Sequence, residues 1–142
     1  MNPRRLPNPR RVFVDTSAYY ALVDRNDVNY RHTLDVATRL SRERRHLFTT
    51  NFVLAETHAL VLNRIGRDIA ARVLVEIENG PTTVVRVSVR DERRARDIIA
   101  QYSDKDYSLT DAMSFAVMER LGIGAAFTLD DHFVQYGFLV IS

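Results

Sequence analysis

The chain has 142 residues, a length that suits one domain with a core large enough to need no disulfide or structural metal. It contains no cysteine, which excludes disulfides, cysteine-ligated metals and thiol nucleophiles. No apolar run is long enough to cross a bilayer and no apolar leader precedes the domain. We therefore expect a soluble, cytoplasmic protein. Basic residues number 20 and acidic residues 18, so the placement of charge says more than its total.

The excess of basic residues lies at the N-terminus. Four arginines fall in the first 11 residues with no acid among them, which leaves 16 basic groups (20 minus 4) against 18 acidic ones in residues 12–142. Three prolines and a lone apolar anchor, Leu6, predict that residues 1–10 form a flexible basic arm. One domain is expected over residues 11–142.

Short β-branched runs alternate with longer helical patterns along this domain. Strands are predicted at residues 12–14, 47–50, 83–87, 125–129 and 138–141. Helices are predicted at residues 18–23, 52–65, 68–78, 91–102 and 108–121, and from a cap at Asp27 to about residue 45. Further caps are expected at Thr16 or Ser17 and at Asn51, and helix stops at Gly66 and Gly122. This alternation predicts a three-layer α/β/α domain with a mostly parallel sheet.

Four carboxylates stand in apolar surroundings. Asp15 and Asp130 each directly follow a predicted strand, where open α/β sheets bind ligands, and they face one crevice if those strands are neighbours. Glu56 has apolar residues one turn away on both sides, which places it on the apolar face of its helix, where a lone charge is costly. Asp111 lies in the first turn of the helix at residues 108–121.

Each acid also has a purely structural interpretation. Asp15 and Asp130 could cap the turns that follow them, and Asp111 fits a capping box with Ser108. Glu56 could pair with a buried arginine. The functional interpretation rests on all four meeting at one end of the sheet, where their repulsion demands a cation. Oxygen-only ligands favour Mg²⁺ or Mn²⁺ as that cofactor.

Four segments around these acids resemble, in order and spacing, the acidic motifs of PIN domains. They are residues 14–18 (VDTSA), 51–56 (NFVLAE), 108–112 (SLTDA) and 127–133 (FTLDDHF). The chain is most similar to the single-domain PIN ribonucleases of the VapC toxin type. The resemblance implies a five-stranded parallel sheet of order 3-2-1-4-5 and metal-dependent cleavage of RNA, usually by a homodimer.

The resemblance also assigns residues. It implies that Asp15, Glu56, Asp111 and Asp130 are the catalytic, metal-binding acids, with in-line attack of a metal-activated water on a phosphodiester. A supporting set around them comprises an additional acid, Asp106, the alternative fourth acid Asp131, and the hydroxyls of Thr16 and Thr128. His132 is interpreted as part of the turn leading to Phe133 rather than as a catalytic group.

Basic clusters and partners are less specific. Arg42, Arg44 and Arg45 could track an RNA backbone, although interspersed acids make a solvated, salt-bridged face the more typical interpretation. Toxin-type relatives imply a VapB-like antitoxin that reaches the acids, often with an arginine. The alternatives are a housekeeping RNA-processing or decay nuclease without an antitoxin, and an inactive PIN-like binding module.

Overall fold

Five short parallel strands form the central sheet of the computed structural model, which describes residues 8–141. The strands are β1 (Arg11–Val14), β2 (His46–Thr50), β3 (Thr83–Val85), β4 (Ala125–Phe127) and β5 (Leu139–Ile141). They lie in the order β3-β2-β1-β4-β5, and every neighbouring pair is parallel. This confirms the predicted sheet and makes β1 the central strand, with β4 at its side.

Seven helices surround the sheet within the described residues. They are α1 (Thr16–Val23), α2 (Tyr30–Arg42), α3 (Asn51–Arg64), α4 (Arg67–Asn79), α5 (Val89–Gln101), α6 (Leu109–Leu121) and α7 (His132–Tyr136). Phe13 of β1 packs in the core shared with α5, α6 and α7, whereas Val12 and Val14 pack towards α1 and α2. Because both faces of β1 are covered, residues 12–14 are all apolar and buried, and Asp15 follows them directly.

The N-caps predicted for α1, α2 and α3 are wrong by one or two residues. Thr50, not Asn51, caps α3 by accepting a hydrogen bond from Val53 N, while the Asn51 side chain accepts one from Val87 N. Asp15 itself is the N-cap of α1. Asn29 precedes α2, because the Asp27 side chain forms a turn by accepting from Asn29 N.

Other element ends also differ from the predictions. Helix α2 stops at Arg42 rather than near residue 45, because Arg44 adopts a left-handed backbone with φ of 55°. Strands β3 and β4 end two residues early. Helix α7 was not predicted, since five residues carry too little periodicity to show in sequence.

Most of the predicted arm, residues 1–7, lies outside the described residues. The described part is tied to the domain, because Asn8 N donates a hydrogen bond of 2.9 Å to the carbonyl of Gly122. Within residues 8–141, no helix has the length and apolar character needed to span a membrane.

Gly66, between α3 and α4, has a backbone that only glycine adopts readily, with φ of 141° and ψ of 173°. A Cβ there would meet no atom within 4 Å, so any cost of Gly66→Ala is a backbone cost. We expect the substitution to lower the free energy of unfolding by about 1–3 kcal/mol in denaturant melts. Gly122→Asn is the control, because its left-handed backbone (φ 65°) tolerates asparagine. Equal losses in the two variants would contradict this account.

Candidate active site

Asp15 and Asp130 lie side by side at the carboxyl edge of the sheet, as the sequence predicts. Val14 of β1 pairs with Phe127 of β4, so the chain leaves both strands at the same point. Asp15 N donates a hydrogen bond of 3.1 Å to the Phe127 carbonyl and extends the pairing by one residue. Neighbouring parallel strands therefore bring these two acids to one crevice.

Asp15 is a buried carboxylate held by hydroxyl groups. Only 4% of the residue is exposed to solvent. Oδ2 accepts hydrogen bonds of 2.9 Å from Ser17 Oγ and 3.0 Å from Thr128 Oγ1. Burial raises the pKa of Asp15 to about 6, and the negative charge of Asp111 adds to this against the lowering effect of the hydrogen bonds. The protein thus holds this charge at an energetic cost.

Two hydroxyl side chains join the ends of β1 and β4. Thr128 Oγ1, besides donating to Asp15, accepts a hydrogen bond of 3.0 Å from Asp130 N. Ser17 Oγ accepts one of 2.9 Å from Leu129 N. The supporting role predicted for Thr128 has a geometric basis in these bonds. Ser17 is predicted from the sequence only as a helix cap. Its position two residues after Asp15 is nevertheless typical of a local hydrogen bond between a hydroxyl and a carboxylate.

Asp111 combines the structural and the functional interpretations. It forms the predicted capping box, in which Asp111 Oδ2 accepts from Ser108 N at 3.1 Å and Ser108 Oγ accepts from Asp111 N at 3.0 Å. The same Oδ2 lies 2.9 Å from His132 Nδ1. Within residues 8–141, Oδ1 makes no hydrogen bond and is left for a ligand. The capping bonds thus fix the orientation of the carboxylate through Oδ2 and leave Oδ1 without a hydrogen bond in residues 8–141.

His132 lies among the acids and contacts two of them, beyond the turn-forming role predicted from the sequence. Its backbone N donates a hydrogen bond of 2.9 Å to Asp130 Oδ1, and its Nδ1 lies 3.5 Å from the same oxygen. One ligand atom each from Asp111, Asp130 and His132 lie within 4.8 Å of one another. Partial burial lowers the pKa of His132, but the hydrogen bond to Asp111 and the neighbouring negative charges outweigh it, so the pKa is raised.

The acids of this crevice differ from the other buried acid of the domain in their counter-charges. Asp91 is buried and has a bidentate arginine, with both Arg120 nitrogens 2.8 Å from its oxygens. Within residues 8–141, no arginine or lysine pairs with Asp15, Asp111 or Asp130. Asp111 and Asp130 lie instead against the imidazole of His132, and no guanidinium or ammonium group of the described residues offsets the three acids. This points to an external cation.

The prediction that Glu56 lies on the apolar face of its helix is wrong. The buried face of α3 is formed by Val53, Leu54, Thr57 and Val61, and Glu56 falls beside it and is exposed. The carboxylate therefore needs no buried arginine. Helix α3 begins at the carboxyl end of β2, next to the acid-bearing edge, but Glu56 is not in the close cluster of ligand atoms. Its assignment as a ligand stays a prediction.

The remaining supporting residues lie at the border of the crevice. Asp106 is exposed, and its charge contributes to the raised pKa of His132. Asp131 is exposed and makes no side-chain bond to the helix that it precedes, whereas Asp130 joins the cluster. The geometry thus favours Asp130 over Asp131 as the fourth acid. Thr16 is buried beside Asp15, and its Oγ1 has no hydrogen-bond partner in the described chain.

The arginines predicted to track RNA lie elsewhere. Arg42, Arg44 and Arg45 precede β2 and so occupy the amino edge of the sheet, opposite the acids. Arg45 pairs with Glu43 at 3.0 Å, in keeping with the alternative of a salt-bridged face. An exposed arginine that the sequence analysis did not select, Arg86, directly follows β3 at the carboxyl edge.

The donor set fits a hard divalent cation. One carboxylate oxygen each from Asp111 and Asp130 lie within 4.8 Å of each other. Asp15 is outside this close group, but its charge interacts with that of Asp111. A single ion of charge +2 would offset much of the repulsion among the three. The imidazole of His132 adds a nitrogen donor that such sites accept from Mn²⁺ and later metals.

Comparison with known proteins agrees with this geometry. The model of the PIN domain family matches residues 12–139. The chain belongs to the PIN domain family. VapC20 of Mycobacterium tuberculosis, named a 23S rRNA-specific endonuclease, is 33% identical over 131 residues, which are 92% of this chain and 97% of VapC20. Ribonuclease VapC26 of the same species is 25% identical over 119 residues, 84% of this chain and 86% of VapC26.

A solved PIN structure also matches. The crystal structure of M. tuberculosis VapC20, described as a sarcin-ricin loop cleaving toxin, superimposes with a TM-score of 0.81 at 31% identity. The match covers 90% of this chain and 96% of that one. These findings confirm the resemblance to single-domain PIN proteins of the VapC type and the fold that it implied.

The raised pKa of Asp15 predicts how stability depends on pH without metal. Asp15 binds its proton more tightly in the folded state, so stability falls as pH rises from about 4 to about 6. Asp15→Asn removes this loss. In excess chelator, we expect the free energy of unfolding of the variant to exceed that of the wild type by up to about 3 kcal/mol at pH 8 and by almost nothing at pH 4. The figure follows from a pKa raised from 3.8 to about 6. Denaturant melts across this range, with Asp131→Asn as the exposed control, measure the difference; a pH-independent difference would contradict it.

Proposed function

We propose that this PIN domain protein is a VapC-type endoribonuclease, a toxin that hydrolyses RNA phosphodiester bonds with the aid of a divalent metal. The observation that carries the proposal is the set of three carboxylates at one sheet edge without an arginine or lysine partner in residues 8–141. The names of the VapC20 and VapC26 relatives, an endonuclease and a ribonuclease, support the same activity.

The ligands of the metal are proposed to be Asp15, Asp111, Asp130 and Glu56. When bound, Mg²⁺ or Mn²⁺ supplies an activated water and offsets negative charge on the phosphoryl and leaving oxygens. Asp111 and Asp130 hold the ion with oxygens that the capping bonds orient. Ser17 and Thr128 donate to Asp15 through their hydroxyl groups, which favours its ionised form against burial and fixes the carboxylate in place. Glu56 completes the set from the exposed side of α3.

The same carboxylates control when RNA can bind. A phosphodiester carries a negative charge, and three ionised carboxylates repel it. We therefore infer that the cation occupies the crevice before the scissile phosphate approaches. Asp106, at the border of the crevice, strengthens this requirement because it adds a further negative charge near His132.

The RNA is proposed to run along the carboxyl edge of the sheet towards Arg86. The strand register places Asp15 level with Thr50 and Val85, so the chain reaches Arg86 two strands, or about 10 Å, from Asp15. The backbone here is held by the bond from Val87 N to Asn51 Oδ1. Arg86 is exposed and forms no ion pair within residues 8–141, which leaves its guanidinium free for phosphate.

The partners and setting follow from the VapC-type relatives. We propose a homodimer in the cytoplasm and a VapB-like antitoxin that covers the crevice. A guanidinium from such a partner would satisfy Asp111 and Asp130 as a cation does. The large-subunit ribosomal RNA is the first substrate to examine, because VapC20 is named for cleaving 23S rRNA.

The central test compares neighbouring acids. We expect Asp111→Asn and Asp130→Asn each to reduce cleavage of a sarcin-ricin loop hairpin and of total RNA by at least about 100-fold in Mg²⁺ or Mn²⁺, because each removes a charge that holds the cation. Asp131→Asn, one residue away and exposed, is expected to cleave within about threefold of wild type. Excess chelator should abolish all cleavage. Undiminished cleavage by Asp130→Asn, or in chelator, would refute the proposed site.

A second test separates the two edges of the sheet. In an Asp130→Asn background that leaves RNA intact, Arg86→Ala should weaken binding of the hairpin and lower the slope of log K against log salt by about 0.7–0.9, one phosphate contact. Arg44→Ala at the opposite edge should leave both quantities unchanged. Fluorescence anisotropy from 50 to 200 mM salt measures them. A larger effect of Arg44 than of Arg86 would place the RNA on the amino edge instead.

A further inference from the structure

His132 is the one non-acidic side chain whose ligand atom lies within the acid cluster of the described residues. Its Nδ1 is 2.9 Å from Asp111 Oδ2 and 3.5 Å from Asp130 Oδ1. Adjacent ligands of an octahedral ion with bonds of about 2.1 Å are about 3.0 Å apart. Nδ1 thus lies near this spacing from one oxygen of each acid, and one ligand oxygen from each acid lies within 4.8 Å of the other.

The imidazole is held in this position from several directions. Its own backbone N is bonded to Asp130, and the next residue, Phe133, is fully buried in the core. The ring of Tyr107 packs edge-on against it, with ring centroids 5.4 Å apart at 82°. A ring fixed in this way loses little further freedom on binding an ion.

The other ring nitrogen allows the tautomer that a ligand needs. Nε2 makes no hydrogen bond within residues 8–141, and the side chain is 27% exposed. The imidazole can therefore carry its proton on Nε2, towards solvent, and present the Nδ1 lone pair to an ion. Without an ion, the same nitrogen donates to Asp111.

We propose that His132 Nδ1 is a direct ligand of the bound metal beside Asp111 and Asp130, and that this nitrogen makes the site favour Mn²⁺ over Mg²⁺. Mg²⁺ prefers oxygen ligands and holds its waters, whereas imidazole affinity rises along the divalent transition series. The inference rests on the proposed function, since it requires that the crevice binds a metal. It adds a ligand outside the four acids and a preference among ions.

The first experiment measures binding rather than catalysis. Titration calorimetry at pH 7.5 with MnCl₂ and with MgCl₂ gives the ratio of the two dissociation constants for each protein. His132→Asn keeps an amide that can bond to Asp111 but removes the imidazole nitrogen. We expect it to lose at least about tenfold in Mn²⁺ affinity and much less in Mg²⁺ affinity, so the ratio falls. His32→Asn, on the exposed side of α2, is the matched control and should keep the wild-type ratio.

The second experiment gives its main result on the wild-type protein, so it does not depend on the folding of a variant. Pulsed electron paramagnetic resonance of Mn²⁺ bound to the wild-type protein detects a directly bonded ¹⁴N, and we expect this coupling in wild type and its absence in His132→Asn. Bound Mn²⁺ without ¹⁴N coupling, or an unchanged Mn²⁺ to Mg²⁺ ratio in the variant, would overturn the inference and leave the metal site intact. Failure of the wild type to bind either ion would instead overturn the proposed function.

Discussion

Repulsion among like charges is the constraint on which the carboxyl edge of this domain depends. Asp15 is buried, and burial together with the charge of Asp111 raises its pKa to about 6. Residues 8–141 place no arginine or lysine against Asp15, Asp111 or Asp130. Elsewhere in the same chain, an arginine forms an ion pair with a buried acid, as in the Asp91–Arg120 pair. The contrast shows that the domain can supply a guanidinium and does not do so here. A site of this kind gives up stability for the ability to hold a cation.

Local hydrogen bonds, rather than arginine or lysine partners, hold the three acids. Asp15 caps α1, Asp111 forms the capping box of α6, and Asp130 closes the turn into α7. From the sequence, capping is an alternative to a functional role for each acid. In the structure, the same carboxylates both cap and lie at the candidate site. Donation from backbone N–H groups at helix starts favours the ionised carboxylate and fixes its direction. The start of each helix thus determines where one of these carboxylates points.

The sequence predicts those parts of the site that local patterns specify. An acid directly after a buried strand, and a Ser-x-x-Asp at a helix start, locate Asp15, Asp130 and Asp111 without tertiary information. The burial of Glu56 is predicted wrongly because apolar residues one turn away do not show where the buried face of α3 ends. That face is formed by only four residues, and Glu56 lies beside it. The contact of His132 with Asp111 spans 21 positions and that of Ser17 with Leu129 spans 112, so neither leaves a local signal. The strand order came from family resemblance, not from periodicity.

The bonds that join Ser17 and Asp15 to Thr128 and Leu129 also set when the crevice comes into existence. They connect the first strand of the domain to residues near its end, across nearly the whole chain. Strand β4 and α7 leave the ribosome after every other element except β5, so a growing chain holds Asp15, Glu56 and Asp111 before it holds Asp130 and His132. The close group of ligand atoms from Asp111, Asp130 and His132 therefore forms only after the residues that follow β4 have been made.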